Sequence, residues 1–231
     1  DNGEENYVQV LKYGETIDVE TPEKEGFTFA GWEPELPETM PANDLTVQAK
    51  WSALPVYQVS FDSTGGSSVQ TQNVIEGQKA TRPADPTKQG YEFAGWFLDL
   101  SDFEPYDFDA VVYGPITLYA KWTEGTSSYK VEHYLQDLEG NYTILHDTEE
   151  LEGTTNSLAE AVGLTLTGFE YNSELSTASG IIEADGSLVL KLYYTRNTYT
   201  ITIDLNDGST PYSVYRKYEE AVDIDDPTRT G

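Results

Sequence analysis

The residues of this chain that could do chemistry are mainly carboxylates. The 231 residues include 41 Asp and Glu against 13 Lys and Arg, which gives a formal charge of −28, together with two His and no Cys. Paired carboxylates can hydrolyse glycosidic bonds, but a chain this acidic contains many chance pairs. Without cysteine there is no disulfide framework, no thiolate metal site and no cysteine nucleophile. We therefore predict that the chain is not an enzyme, and we assign no catalytic residue.

Two groups of acidic residues could bind calcium, which takes several oxygen ligands at defined spacing. The run Asp204–Gly208 is similar to the start of a calcium loop, although the turn of a β-hairpin would use the same residues. The second group, which a solvated loop would also explain, consists of Asp99, Asp102, Asp107 and Asp109. His133 is predicted to be a partly buried packing residue and His146 a surface residue, which leaves little for a zinc site. We predict no metal and no cofactor.

The charge pattern also excludes classes of partner. Phosphate backbones are bound by Lys and Arg, and the largest concentration of basic residues is the pair Arg216-Lys217. Neither nucleic acid nor an anionic lipid surface is therefore an expected partner. No apolar stretch approaches about 20 residues, so no membrane insertion is predicted. Aromatic residues make up 13% of the chain, which indicates folding around small cores rather than disorder.

The four tryptophans lie at equivalent positions of an internal repeat. Lys24–Trp32 returns 64 positions later as Lys88–Trp96, whereas Leu45–Trp51 returns 71 positions later as Ile116–Trp122. The repeat landmarks are Trp32, Trp51, Gly90, Tyr91, Phe93, Gly95, Trp96 and Trp122. The indoles could pack in cores and module junctions or could stack on sugars, and their recurrence in each copy favours packing.

The elements that position these residues are predicted to be short strands. Apolar residues alternate with polar ones at Val59 and Phe61 and again over Leu118–Trp122, as in sheets with one wet face. Gly95 is predicted to host a bulge that turns Trp96 inward. Elsewhere the patterns predict strands over Tyr129–Leu135 and Leu188–Tyr194, and one short helix over 156–162 with Asn156 or Ser157 as its N-cap.

These patterns divide the chain into four modules. We predict a first repeat over 1–52 that lacks its opening strand, a complete repeat over 53–124, a different module over 125–197, and a truncated repeat over 198–231. The chain is therefore expected to be a piece of something larger. The first repeat would expose an unpaired sheet edge, and Tyr199–Asp204 would be an opening strand without partners of its own. These edges could pair with a strand of a neighbouring molecule, so self-association is a possible interaction of this chain.

Two families share these motifs. In residues 57–122 the motif residues are Gly65, Gly66, Pro83, Pro86, Gly90, Tyr91, Phe93, Gly95, Trp96, Leu118, Ala120, Lys121 and Trp122. This pattern resembles the internalin-type B repeat, also called the Listeria–Bacteroides repeat. In 125–197 the motif residues are Tyr129, Val131, His133, Tyr134, Gly168, Phe169, Tyr171, Ser179, Gly180, Val189 and Lys191–Tyr194. That module resembles the mucin-binding (MucBP-like) repeats of Gram-positive surface proteins.

The resemblance implies a fold and a place of action. It implies a β-rich α+β fold of tandem small β-grasp-like (ubiquitin-like) modules in an elongated array. It also implies an extracellular location on a bacterial cell surface, attached to the wall through parts outside this chain. The expected function is a non-enzymatic stalk or spacer of an adhesin. The alternative is direct binding of a host glycan or extracellular protein by the 125–197 module or by the repeat surfaces.

Overall fold

The computed structural model describes residues 7–224. Within them the regular elements are fourteen β-strands, and no helix occurs there. The strands are β1 Phe27–Glu33, β2 Gln48–Ala53, β3 Val56–Asp62, β4 Gln72–Ile75, β5 Tyr91–Phe97, β6 Ile116–Glu124, β7 Thr126–Leu135, β8 Ile144–Thr154, β9 Leu158–Glu160, β10 Phe169–Thr177, β11 Ser179–Ile181, β12 Val189–Arg196, β13 Thr198–Ile203 and β14 Tyr212–Lys217. The strands predicted over Tyr129–Leu135 and Leu188–Tyr194 are thus confirmed as β7 and as most of β12.

Two mixed sheets of four strands share one topology. The first has the order β4-β3-β6-β5, and the second has the order β10-β12-β7-β8. In each sheet the strands that come first and last along the chain are parallel neighbours in the centre. They are β3 with β6 in the first sheet and β7 with β12 in the second. A parallel pair requires a crossover connection. Here extended chain makes the crossover, since no helix occurs between these strands in the described residues.

Three smaller sheets have two strands each. The antiparallel pair β1-β2 belongs to the first repeat, and the antiparallel pair β13-β14 follows the second large sheet. The third pair, β9-β11, lies within the crossover of the second large sheet.

The chain divides into two compact units, each with its own core. One unit contains the residues up to Pro86 together with Ala94–Lys121, and the other contains Thr87–Phe93 together with the residues from Trp122 onwards. The buried apolar side chains of the first unit are Val59, Phe61, Val74, Ala80, Trp96, Phe97, Val112, Leu118 and Ala120. Those of the second unit are Val131, Ala159, Ile182, Leu190, Leu192 and Tyr194.

The burial pattern confirms the alternation read from the sequence. Val59 and Phe61 on β3 and Leu118 and Ala120 on β6 all face the core, while their neighbours in sequence are more exposed. By contrast, no described side chain before Leu54 or after Asn197 is fully buried. The first and last repeats therefore have much less interior of their own than the parts between them.

The predicted helix over 156–162 is wrong. Asn156 adopts a left-handed backbone with φ of 64°, and Ser157–Ile182 hydrogen bonding leads into the pairing of β9 with β11. This ladder buries Ala159 and leaves Leu158 exposed, an alternation of period two. Pairing with a strand some 20 residues away outweighs the local helix-capping residues here. Helix propensity is a local property and does not predict such pairing. The α+β expectation is not confirmed in residues 7–224.

Two further expectations concern strand edges and bulges. The expectation that Tyr199–Asp204 lacks a partner is wrong, because β13 pairs with β14 from Thr198↔Lys217 to Ile203↔Tyr212. The bulge expected at Gly95 stays a prediction, although a bulge is present at the equivalent place in the first repeat, where the β1-β2 register shifts between Phe29 and Gly31. Gly95, the equivalent glycine of the second repeat, has a positive φ of 135°. The ends of the first and last predicted modules, 1–6 and 225–231, lie outside the described residues.

Candidate functional site

Trp96 is a core residue of the second repeat. Its side chain is 2% exposed, and its indole meets Phe61 in an edge-on contact with the ring centroids 5.0 Å apart. The unusual backbone at Gly95 precedes it and lies against Pro105. A buried indole cannot stack on a sugar from solvent, so the geometry at this position favours packing.

Trp122 lies in a partly exposed cluster. The Lys88 ammonium is 4.6 Å from the Tyr91 ring centroid and 5.8 Å from that of Trp122. Phe93 meets Trp122 edge-on with the ring centroids 5.5 Å apart. Contacts of a cation with ring faces at such exposed sites are worth about 0.5–1 kcal/mol. The cluster therefore holds the start of β5 against the end of β6.

The first repeat has the same arrangement at equivalent positions. The Lys24 ammonium is 4.6 Å from the Phe27 ring centroid and 5.9 Å from that of Trp51. Phe29 contacts both Trp51, at 5.8 Å between centroids, and Trp32, at 5.2 Å. The landmarks thus recur as a three-dimensional cluster, although Trp32 and Trp51 remain partly exposed.

The acidic loop after β5 uses its carboxylates for turns. The Asp99 carboxylate accepts hydrogen bonds from the backbone N–H and the hydroxyl of Ser101, at 2.8 and 2.7 Å, and these bonds lower the pKa of Asp99. Asp102 accepts from the Asp99 N–H, and Asp109 pairs with Lys79 at 2.9 Å. In the part of the chain that the structure describes, no group of three or more His, Asp or Glu could hold a metal ion.

The same loop presents apolar side chains to solvent. We call residues 98–113 the insert loop, because they fall where the second repeat is longer than the first. Phe103 is 96% exposed, and the other exposed large apolar side chains are Leu98, Leu100, Val111 and Tyr113. Lys121 anchors the loop by donating to the carbonyl of Asp102 and by lying 4.2 Å over the Phe97 ring centroid. The insert loop thus presents apolar side chains among carboxylates.

His133 is fully buried in a hydrogen-bonded chain. Its Nδ1 lies 2.7 Å from the Tyr194 hydroxyl, and its Nε2 lies 2.9 Å from the Glu149 carboxylate. The Tyr194 hydroxyl in turn accepts from the backbone N–H of Leu164, at 2.8 Å. Burial raises the pKa of the Tyr194 hydroxyl. The sequence predicted partial burial of His133 but gave no sign of its two partners, while His146 is exposed as predicted.

A recurrent feature of residues 7–224 is the junction between successive sheets. At the first junction, the Leu54 N–H donates to the carbonyl of Gly26, at 2.9 Å. The Pro55 carbonyl accepts from the Glu76 N–H, also at 2.9 Å. A Cβ placed on Gly26 would lie 3.2 Å from Ile75. The linker between β2 and β3 is thereby bonded on both sides.

The second junction repeats this pattern around one residue. The Gly125 N–H donates to the carbonyl of Gly90, at 3.0 Å, and the Gly125 carbonyl accepts from the Thr155 N–H, at 2.9 Å. A Cβ on Gly90 would lie 2.8 Å from the backbone of Ala184. The Tyr91 hydroxyl accepts from the side-chain amide of Asn156, at 3.1 Å. Gly90 and Tyr91 are therefore junction residues.

The third junction is built in the same way. The Asn197 N–H donates to the carbonyl of Gly168, at 2.9 Å, and the Asn197 carbonyl accepts from the Tyr218 N–H, at 2.8 Å. A Cβ on Gly168 would collide with the Tyr218 ring. The Arg196 guanidinium adds bonds to the Tyr218 carbonyl, at 2.7 Å, and to the Glu219 carboxylate, at 2.9 Å.

One short motif lies at every junction, at the start of β1, β5 and β10. It reads Gly-aromatic-x-aromatic at Gly26–Phe29, Gly90–Phe93 and Gly168–Tyr171. The three glycines have φ of 77°, 76° and 80°, in the left-handed region that favours glycine. The sequence analysis assigned these motifs to two different families and did not compare them with one another. Their common pattern was the signal that could have predicted a shared junction. The linker residues Gly125 and Asn197 had no such signal.

Two shallow cavities open beside the second and third junctions. The polar one has a volume of about 210 Å³ and is lined by Gly90, Ser127, Ala184 and Asp185 among others. The other has a volume of about 330 Å³ and is lined by Leu166, Phe169, Arg196 and Tyr218 among others. In the latter cavity the Arg196 charge is already paired with Glu219. Both cavities are surface recesses of the junctions.

The sequence relatives are large proteins of which this chain matches a part. A protein of Evansella cellulosilytica named as a Gly-rich membrane protein is 33% identical over an alignment of 203 positions, which covers 81% of this chain and 23% of that protein. A second protein of that organism, named as a membrane protein, is 30% identical over 77% of this chain and 27% of its own length. Internalin H of Listeria monocytogenes is 34% identical over 45% of this chain and 20% of its own length. The chain thus spans about a quarter of these relatives or less.

Among solved structures, the type 2 repeat of the mucus binding protein MUB from Lactobacillus reuteri is similar to this chain at 10% identity and a TM-score of 0.21. The likeness covers 62% of this chain and all of that one. A TM-score this low does not establish a shared fold. No helix in the described residues is long and apolar enough to cross a membrane. Residues 1–50 and 57–121 match the Listeria-Bacteroides repeat domain, and with the recurring landmark clusters this shows that these two segments belong to the Listeria-Bacteroides repeat family.

Proposed function

We propose that this chain is a non-enzymatic spacer in the repeat region of a bacterial surface adhesin. The spacer would hold an adhesive part of the protein away from the cell, and the chain would be extracellular and attached to the wall through other parts of the protein. Membership of the repeat family and the similarity to internalin H support a surface repeat region. In this proposal the modules follow the boundaries 1–52, 53–124, 125–197 and 198–231.

The observation that carries the proposal is the threefold recurrence of one junction. A spacer needs modules that join in a fixed way, and the same two backbone hydrogen bonds recur around Gly26, Gly90 and Gly168. Such an array gains stability from each module and from each interface between neighbours. The charge of −28 adds repulsion along the chain, which would favour extension.

The sheet topology supports a β-grasp-like description of the two central modules. Both large sheets have first and last strands parallel at the centre, flanked by one further strand on each side. In this proposal the crossover that is a helix in β-grasp folds is an extended segment here.

Small-angle X-ray scattering tests the spacer. A single compact domain of 231 residues would have a radius of gyration of about 17 Å. We expect a clearly larger value and the distance distribution of an elongated particle. A value near that of one compact domain would overturn the spacer.

A second candidate is direct binding of a host glycan or extracellular protein, through the repeat surfaces or the 125–197 module. The insert loop favours it, because an exposed aromatic on an anchored loop is the kind of residue that dominates interfaces. Phe103 is 96% exposed and has carboxylates on both sides of it in sequence. Lys121 contacts the loop at Asp102, next to Phe103, which would lower the conformational entropy lost on binding.

A glycan array and immobilised mucin test this candidate with the full chain. If the repeat surface binds, Phe103→Ser should weaken binding at least about tenfold, as loss of a hot-spot aromatic does. Val10→Ser is the matched control, since Val10 is 93% exposed and lies outside the loop. Absence of binding by the unsubstituted chain, or equal binding by both variants, would reject a role for the insert loop.

A further inference from the structure

We propose that the module between Gly125 and Asn197 is a load-bearing element that resists pulling along the chain. This inference rests on the proposed spacer, because a spacer between a cell and an attached surface transmits force through its backbone. The feature that carries it is the pair β7 and β12, the strands by which the chain enters and leaves the module.

These two strands are parallel and directly adjacent. Their register runs over six residue pairs, from Lys130↔Val189 to Leu135↔Tyr194. Tension applied at Thr126 and at Thr198 acts at opposite ends of this pair, so it slides one strand along the other. Every hydrogen bond between the strands is then loaded at once. Pulling both strands from the same end would instead open the bonds one after another.

Side chains add resistance to sliding. Val131 on β7 and Leu190 and Leu192 on β12 are buried in one apolar cluster. The bond between His133 and the Tyr194 hydroxyl, at 2.7 Å, joins the two strands inside that cluster. Sliding by one residue would move these side chains towards the opposite face of the sheet. The strands therefore cannot shift without breaking the core.

The junctions deliver the load to these strands. Gly125 is the single residue between β6 and β7, and Asn197 is the single residue between β12 and β13. Both the N–H and the carbonyl of each linker residue are hydrogen-bonded. No slack chain lies between consecutive strands, so tension would reach the central pair directly.

The second repeat, 53–124, contains a shorter parallel pair of central strands. Its parallel pair, β3 and β6, has a register of four residue pairs, from Val59↔Ile116 to Asp62↔Tyr119. Fewer bonds share the load in that pair, so we expect this repeat to yield at a lower force than the module with six pairs.

Single-molecule pulling on the full chain tests the inference. The chain contains no cysteine, so two introduced cysteines define the points of attachment. Thr126→Cys with Thr198→Cys applies shear, and Thr126→Cys with Ser187→Cys pulls both central strands from one end. All three positions are exposed. We expect a several-fold higher unfolding force in shear at the same loading rate.

The two variants control for each other. Because Ser187→Cys removes the hydroxyl bond to Asp185, the shear variant also carries Ser187→Ala. Both variants should then unfold at the same denaturant concentration, so that any difference in force comes from the direction of pulling. Equal unfolding forces in the two geometries would overturn the load-bearing inference. A compact particle in scattering would overturn the spacer and leave the force ratio untouched, so the two failures are distinguishable.

Discussion

Glycine is the residue on which each junction depends. Gly26, Gly90 and Gly168 combine a positive φ with a neighbour so close that a side chain would collide or crowd. Other glycines of this chain have the same φ in open space, and Gly77, with φ of 80° and no atom within 4 Å of its Cβ position, is one of them. Substituting the two kinds of glycine therefore distinguishes two free-energy costs of adding a side chain: the cost of a positive φ and the cost of a collision at the junction.

We predict that Gly90→Ala destabilises the fold more than Gly77→Ala. The positive φ costs about 1–2 kcal/mol at either site. At Gly90 the contact of 2.8 Å with the Ala184 backbone adds overpacking, which costs about 1–3 kcal/mol more. Denaturant unfolding of both variants measures the difference. Equal midpoints would show that the junction adapts to a side chain without cost.

The two histidines form a second matched pair. We predict that His133→Leu lowers the free energy of unfolding by about 1–3 kcal/mol, because two hydrogen bonds of a fully buried side chain are lost. His146→Leu, at an exposed position, should change it by no more than about 0.5 kcal/mol. Thermal or denaturant unfolding of the two variants checks this. A smaller effect at His133 than at His146 would contradict the burial described.

At the scale of elements, one turn chemistry recurs. An Asp two residues before a Ser begins the turns at Asp99, Asp185 and Asp207, and each carboxylate accepts the backbone N–H of its serine. Hydrogen bonds from the serine lower the pKa of each of these carboxyl groups. The turns are therefore held by ionised carboxylates.

This chemistry fixes the sign of a pH effect. Because the pKa of Asp185 is lower in the folded protein, its contribution to stability is full above the unfolded pKa and disappears as the pH falls through the folded pKa. Ser187→Ala should raise the pKa of Asp185 towards its ordinary value, since the hydroxyl bond is the largest cause of the shift. NMR titration of the carboxyl carbon measures it, and an unchanged titration would assign the shift to the backbone bond alone.

The predictability of elements depended on whether local pattern and long-range pairing agreed. At β7 and β12 the period-two pattern matched the final pairing, so these strands could be read from the sequence. At 156–162 the cap residues favoured a helix, and only the bonds of Asn156 and Ser157 to Ile182 decide otherwise. The landmark motifs were visible, but the distances between Gly90 and Ala184 or between His133 and Glu149 depend on tertiary packing that no spacing reveals.

At the scale of the whole molecule, the net charge is expected to influence the radius of gyration. The formal charge of −28 acts between modules as well as within them, and salt screens it. The Debye length falls from about 30 Å at about 0.01 M salt to about 3 Å at about 1 M. We predict that the radius of gyration decreases over this range. Scattering at both salt concentrations measures the change, and a constant radius would show that the junctions alone set the dimensions.

The single-residue linkers Gly125 and Asn197 also constrain how such a gene can change. In extended chain, adding or losing one residue at a linker would turn the side chains of the strand that follows to the other face of its sheet. Descendants could therefore gain or lose copies of the unit in full, by duplication or recombination, but would accept a small insertion between copies only where both backbone hydrogen bonds of the junction are kept, as at the two-residue linker Leu54-Pro55. Length differences would accumulate instead in segments such as the one between Trp96 and Ile116. In that segment the second repeat is already seven residues longer than the first.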